Sequence, residues 1–194
     1  MIHKEALVGG IITLRTITLS DCTETYVSWL NDPAVNKYLE TRFELQTLQS
    51  IRQFVDSIVE SDSSYLFAMN TNDGTKKHIG NIKLGPIHPQ YSYADISYFI
   101  GDRGYWGKGI ATEAIKLVAG FAFDQLKLHR VQAGVFEDNI GSIKALEKAG
   151  FIIEGKFQKQ LRVQTKGSAN EDRINTDVKW QDHLYYGMLN KNEE

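Results

Sequence analysis

The chain is nearly devoid of cysteine, with one residue, Cys22, in 194. A lone thiol excludes an internal disulfide framework and suits a reducing compartment. An excess of positive charge is missing too. Lysine and arginine total 22 against 24 acidic residues, a net charge of −2, so no basic footprint points to nucleic acid. The early apolar run ALVGGIITL (6–14) is too short to span a bilayer. It also lacks the basic leader and small-residue cleavage site of a signal peptide. No internal repeat or low-complexity tract occurs. The five histidines, at 3, 78, 88, 129 and 183, show no paired ligand spacing, so no metal is expected. These absences leave a cytoplasmic protein, with neither membrane nor nucleic acid as partner.

What is present is an ordinary globular composition, 42% apolar and 24% charged, in a length that suits one domain over 1–194. GIITLRTITL (10–19) is β-branched and alternating, the pattern of a strand. Ser20 or Asp21 is placed to cap a short helix holding Tyr26, Trp29 and Leu30. NDP (31–33) breaks that helix, and AVNKYL (34–39) forms a second short helix or turn. Residues 47–61 carry a helical apolar stripe. Strands follow at 64–71, 78–87 and 93–101, the first two joined by an NDG turn. Residues 110–126 form a helix apolar on most sides, which marks burial against a sheet. A strand (129–136), a helix (139–150) between Asn139 and Gly150 as caps, and a long strand (151–164) come next. A polar loop (165–177) leads to the last strand (178–189). Runs of strands followed by interleaved helices indicate an α+β, mixed-sheet fold.

The most unusual stretch is RGYWGKGIATEA (103–114), which sets three glycines directly ahead of a helix. One explanation is a tight strand-to-helix turn. A second is a dinucleotide fingerprint, as in an oxidoreductase, but GKGIAT has no third glycine at the required offset and no early βαβ unit around it. A third is a phosphate cradle. The first turn of a helix has unpaired N–H groups and a dipole that favours an anion, and glycine lets the backbone approach it.

WGKGIATEA resembles the acetyl-CoA-binding signature of the GNAT superfamily of N-acetyltransferases, Gln/Arg-x-x-Gly-x-Gly/Ala. Trp106, Gly109 and Ala111 occupy its fixed positions, with tryptophan in place of Gln or Arg. The Trp-Gly-x-Gly form is similar to the branch that includes the ribosomal-protein N-terminal acetyltransferases. FEDNIGSIKALEKAGF (136–151) resembles that branch's second motif, and DISYFIGDRGYWGKG (95–109) resembles its central strand running into the first.

The resemblance, covering residues 10–189, implies a central twisted, mostly antiparallel sheet of about seven strands flanked by helices. A parallel pair in that sheet splays to admit the pantetheine arm. It implies acetyl-CoA as cosubstrate and direct attack by an amine in a ternary complex. Backbone groups of Phe99 and Ile100 would pair with the pantetheine. The turn Trp106, Gly107, Lys108, Gly109, Ile110, Ala111 and Thr112 would hold the pyrophosphate. Lys108, Lys144 and Lys148 would reach the outer phosphate. Asn139 would contact the pantetheine and Ser142 would lie near the sulfur. Many relatives carry a tyrosine acid where this chain has Leu146; the ribosomal-protein branch has a serine instead, which Ser142 matches, and the resemblance implies that its hydroxyl would hydrogen-bond the thiolate.

Asp95 is the favoured base, with Glu137, Glu154 and Asp182 as alternatives. The segment VSWLNDPAVNKYLETR (27–42), with Trp29, Asn31, Asp32, Asn36, Tyr38 and Arg42, is the candidate acceptor wall, and the loop 165–177 would close over it. The acceptor is a protein N-terminus, an amino sugar or another small amine, and the protein is a monomer or homodimer. A non-catalytic acyl-CoA-binding sensor would keep the same cradle.

Overall fold

The computed structural model describes residues 3, 5–163 and 179–191. The acceptor loop expected at 165–177 lies outside them. Eight strands form one sheet in the order β1-β2-β3-β4-β5-β6-β8-β7. Their ranges are β1 Leu7–Val8, β2 Ile12–Thr16, β3 Tyr65–Thr71, β4 His78–His88, β5 Tyr93–Ile100, β6 Arg130–Phe136, β7 Ile152–Val163 and β8 Lys179–Leu189. Every neighbouring pair is antiparallel except β5 and β6. The mixed α+β architecture with one parallel pair is thus as expected. The extra strand is β1, only two residues long, which is too short for any alternation to show in the sequence.

The sheet is covered on both faces. Phe67 and Met69 of β3 enter the larger core with helix α4 (Ile110–Gly120) and helix α5 (Ile140–Ala149). Leu66 and Ala68, on the opposite face, enter a second core with α1 (Glu24–Asn31) and α3 (Leu48–Glu60). Burial on both faces explains why YLFAM reads as a continuous apolar run rather than an alternation.

Helix α3 starts at the N-cap Thr47, which accepts from Ser50 N–H at 3.1 Å. The cap of α1 is a correction. It is Thr23, accepting from Tyr26 N–H at 3.3 Å, and not Ser20 or Asp21. Asp21 turns back instead to Thr18 N–H and to Arg15, each at 2.8 Å, closing a 3-10 turn at Leu19–Asp21. That turn is also why the strand expected through residue 19 ends at Thr16. The helix expected over 110–126 is α-helical to Gly120 and then widens into a π-turn at Phe121–Gln125. There Phe121 packs edge-on against Tyr65 and Phe67.

β5 and β6 pair only at Tyr93↔Arg130, Ala94↔Val131 and Asp95↔Gln132. Beyond Asp95, β5 stays with β4 as far as Gly80↔Ile100. β6 stays with β8 as far as Phe136↔His183. The two halves of the sheet therefore part in the middle.

Candidate active site

The parting leaves a cleft floored by residues that interior strands normally hide. Ser97 of β5 and Gly134 of β6 are both exposed, although each strand is central in an eight-stranded sheet. Strand alternation assigns the two sides of this cleft. Ala94, Ile96, Tyr98 and Ile100 pack into the core shared with α4 and α5. Asp95, Ser97 and Phe99 face the other way, and Phe99 joins the α1–α3 core.

On the α5 side, Asn139 caps the helix by accepting from Ser142 N–H at 3.3 Å. The Tyr98 hydroxyl donates to the Ser142 carbonyl at 3.4 Å, and burial pushes the phenol up to about 12. Sequence reading missed Tyr98, because nothing local marks a tyrosine that bridges from a strand to a helix 44 residues on. Leu146, at the position where a tyrosine acid was sought, is 1% exposed and belongs to the core. Its hydrocarbon side chain has no proton to give.

At the far end of β5 the chain makes the glycine turn. Gly107 and Gly109 have φ of 74° and 81°, a region that side-chain-bearing residues seldom adopt. A β-carbon at Gly107 would meet nothing, and one at Gly109 only the tip of Ile11 at 3.9 Å. The glycines are therefore required by backbone conformation, and the space ahead of the helix is open. Gly109 is the left-handed N-cap of α4, so the first-turn N–H groups of Ile110, Ala111 and Thr112 point past it. Trp106 ties the turn down by donating its indole N–H to the Ile100 carbonyl at 2.8 Å. This engages one of the backbone groups expected to face the pantetheine. The Lys108 ammonium lies 5.1 Å from the Tyr105 ring centre, and Lys144 is exposed on α5.

A second support was not foreseen. The Glu113 carboxylate, in the first turns of α4, accepts from the N–H groups of Gly10, Ile11 and Ile12 at 2.8, 2.9 and 2.9 Å. It locks the β1–β2 turn to the base of the glycine turn. The partner sites lie more than 100 residues apart, so no motif could carry the signal.

On the opposite side of the cleft stands the 27–42 segment. Trp29 is 8% exposed, and a β-carbon on Gly101 would fall 2.1 Å from its indole. It is seated flat on the end of β5, beside His78 and Phe99. Asn31 exchanges two bonds with the Gln46 backbone, at 2.8 and 2.9 Å. Asn36 donates to the Leu30 carbonyl at 2.7 Å. Asp32 caps α2 (Pro33–Asn36) by accepting from Ala34 N–H at 2.8 Å. These residues brace the segment. Tyr38 reaches across, with its ring 5.4 Å from that of Phe136 and its hydroxyl donating to the Asp138 carbonyl at 3.2 Å. The Arg42 guanidinium lies 5.2 Å from the same Phe136 ring.

Asp95 sits at the apex, on the last paired rung, where Gln132 donates to its Oδ1 at 3.0 Å. Gln132 accepts in turn from Arg130 at 3.2 Å, and Arg130 holds Glu154 through two bonds, one at 2.8 Å. That pairing keeps the Glu154 carboxyl below the usual carboxylate range. Glu137 pairs with Lys156 and accepts from Asp182 N–H. Asp182 pairs with Lys156 and accepts from Lys159 N–H, bonds that hold it ionised. All three alternative carboxylates are thus engaged in ion pairs, whereas Asp95 has an amide partner. The aromatic strip Phe136, His183, Tyr185 and Phe157 continues the wall, with His183 and Tyr185 ring centres 4.5 Å apart. Among the described residues, no group of His, Cys, Asp and Glu side chains is arranged to hold a metal. No helix there is long and apolar enough to cross a membrane.

Comparison with known proteins agrees with this geometry. The family profile for the acetyltransferase (GNAT) domain matches residues 12–152. The chain is similar to the probable N-acetyltransferase YjcK of Bacillus subtilis, 37% identical over 137 residues, covering 70% of this chain and 67% of that one. It is also similar to the uncharacterized N-acetyltransferase p20 of Bacillus licheniformis, 31% identical over 153 residues, covering 78% and 84%. Among solved structures, spermidine N-acetyltransferase from Vibrio cholerae, in complex with CoA and spermine, superposes with a TM-score of 0.76. At 19% identity over 92% of this chain and 95% of that one, the likeness is one of fold. A profile spanning most of the chain, with relatives at this identity, shows that the chain belongs to the GNAT acetyltransferase family and is an acetyltransferase.

Proposed function

We propose that this protein moves the acetyl group of acetyl-CoA to a primary amine, by direct attack within a ternary complex. The observation that carries the reading is the abrupt end of β5–β6 pairing after Asp95↔Gln132. It leaves the facing edges of β5 and β6 unpaired from the apex onward, on the side where β5 leads to the glycine turn. A pantetheine arm laid there would find unpaired strand edges, and its pyrophosphate would meet the first turn of α4. Each anion–helix contact contributes about 0.3–1 kcal/mol, more when partly buried. Phe99 and Ile100 would flank the arm, with Asn139 and Ser142 at its far side. Residues 106–112 and Lys108 would hold the phosphates, and Lys144 the outer one.

The chemistry asks for a neutral amine, a stabilised oxyanion and a stabilised thiolate. Asp95 faces the acceptor side, where it would draw in an ammonium and take a proton through water. Ser142 lies on the opposite side, where its hydroxyl would hydrogen-bond the departing thiolate. Tyr38, among Trp29, Asn31 and Asn36, is the wall residue that would touch the acceptor. Holding amine and thioester together would itself supply up to roughly 7–11 kcal/mol of the barrier reduction. The acceptor is a protein N-terminus, an amino sugar or a small amine such as the polyamine named for the Vibrio cholerae neighbour. The single cysteine suits work in the cytoplasm.

Acetyl-CoA at about 100 times its dissociation constant stabilises a binder by about 2.7 kcal/mol. For a chain of this size that raises the melting temperature by roughly 5–10 °C. A thiol-release assay over peptides beginning with Ser or Ala, polyamines and nucleotide-linked amino sugars then finds the acceptor. No thermal shift at millimolar acetyl-CoA would sink the proposal. A shift without thiol release from any acceptor would turn it into an acyl-CoA sensor.

A further inference from the structure

His183 lies on β8 in register with Phe136, and its ring leans along the sheet toward Gly134. A β-carbon on Gly134 would stand 2.3 Å from His183 Nε2 and 2.8 Å from Cε1. The absence of a side chain at Gly134 is what lets the imidazole lie against β6. That glycine is one of the two exposed floor residues of the cleft, just past the last β5–β6 rung. His183 therefore presents Nε2 at the acceptor side of the opening, on the face that also bears Asp95 and Ser97.

The other ring nitrogen is committed. Nδ1 lies 2.8 Å from Gln160 Oε1 on β7. With the Gln160 amide oxygen assigned toward the ring, Nδ1 is the donor and Nε2 is left with the lone pair. Tyr185 and Phe157 flank the ring without charge. Glu40, from the 3-10 turn at Glu40–Phe43, is the acid that faces it, and Arg42 of the same turn pairs with Glu40 at 3.3 Å. Neighbouring Asp182 is occupied by Lys156. Burial outweighs the pull of Glu40 and holds the imidazole below the usual histidine range, neutral near pH 7.

We propose that His183 Nε2 is the base that takes the proton from the acceptor ammonium, with Gln160 fixing its tautomer and Gly134 making its room. The inference rests on the acetyl-transfer reading above and replaces one of its roles: Asp95 attracts the ammonium, and His183 instead of Asp95 takes its proton. The ammonium gives one proton to Nε2. The freed amine pair forms a C–N bond to the thioester carbon, and the C–S pair leaves on sulfur. The second N–H proton goes to the thiolate through water or Ser142, and His183 returns its proton to solvent. The balance is ammonium plus acetyl-CoA giving amide, free thiol and one proton.

The test uses the full chain and the best acceptor from the panel. His183→Asn keeps a donor toward Gln160 and removes Nε2. It is expected to lower kcat by about 100-fold and leave KM for acetyl-CoA within threefold. It is also expected to abolish the acid limb of the kcat/KM profile, which in the wild type lies below pH of about 6.5. Gly134→Ala, which pushes the ring aside, is expected to lower kcat in the wild type and to add nothing in the His183→Asn background. A His183→Asn enzyme that keeps its acid limb and a kcat within threefold overturns the assignment, and so does additivity of the two substitutions. A wild type that transfers to no acceptor removes the acetyl-transfer reading and His183's role with it. An active wild type matched by His183→Asn removes His183's role alone.

Discussion

The turn at 106–112 and the segment 29–43 flank the same opening between β5 and β6, but they are shaped by different causes. The turn is set by its own backbone, through two positive-φ glycines and a left-handed N-cap, with open space in front. The segment is set by contacts made elsewhere. Trp29 is seated on Gly101, Asn31 on the Gln46 backbone, and Tyr38 against Phe136 of a strand about 100 residues on. Two glycines eight residues apart show the contrast. Gly109 is needed for a torsion angle and has room for a side chain. Gly101 has no positive φ and no room at all. A conformational requirement belongs to the local sequence and is visible there, whereas a steric one belongs to the fold.

Substituting the conformational glycine has the largest expected effect. Gly109→Val places a β-branched residue at φ 81°, a strain of about 1–3 kcal/mol if the geometry is kept. Relaxing that strain turns the first N–H groups of α4 away from the mouth of the cleft. Titration calorimetry is expected to show acetyl-CoA binding weakened about 100-fold, equivalent to about 2.7 kcal/mol, with the protein still folded. An unchanged dissociation constant in the folded variant would remove the glycine turn from the donor site.

Gly101→Ala inverts that outcome. Its β-carbon would meet three Trp29 ring atoms at 2.1–2.4 Å, and overpacking of this kind costs about 1–3 kcal/mol. The melting temperature should fall by roughly 3–10 °C, while the acetyl-CoA dissociation constant at a temperature where the protein is folded stays within threefold. If affinity fell as far as stability, the two sides of the cleft would be one mechanical unit, and the contrast drawn above would fail.

The same contrast explains what could be read in advance. The glycine turn and the caps of α5 were legible because their signals are local. Glycines at fixed offsets precede an apolar helix, and Asn139 and Gly150 bracket α5. The strands and their succession along the chain were legible from β-branched runs and turns. Long-range pairing was not. Glu113 holding the β1–β2 turn, Tyr98 bridging to α5, and His183 filling the place of a missing side chain at Gly134 each join residues 40 or more positions apart. The residues of the 27–42 segment were named together but not sorted by what each one touches. Polarity in the sequence could not tell Asn31 and Asn36, whose amides brace the backbone, from Tyr38, whose ring reaches β6.

Trp106 gives the smallest and most discriminating change. It stands where the family signature has Gln or Arg, and its indole N–H donates to the Ile100 carbonyl at 2.8 Å. The residue is 43% exposed, and its indole hydrogen bond links the turn to β5. A net bond of this kind is worth about 0.5–1.5 kcal/mol. Trp106→Phe keeps a ring and loses the donor, and is expected to weaken acetyl-CoA binding by about two- to tenfold. Trp106→Gln restores an N–H donor of similar reach and should recover most of that loss. Should Trp106→Phe prove as damaging as Gly109→Val, the turn would owe its shape to the tryptophan anchor. The glycines would then be permissive, and the turn would be held by tertiary contact just as the 29–43 segment is.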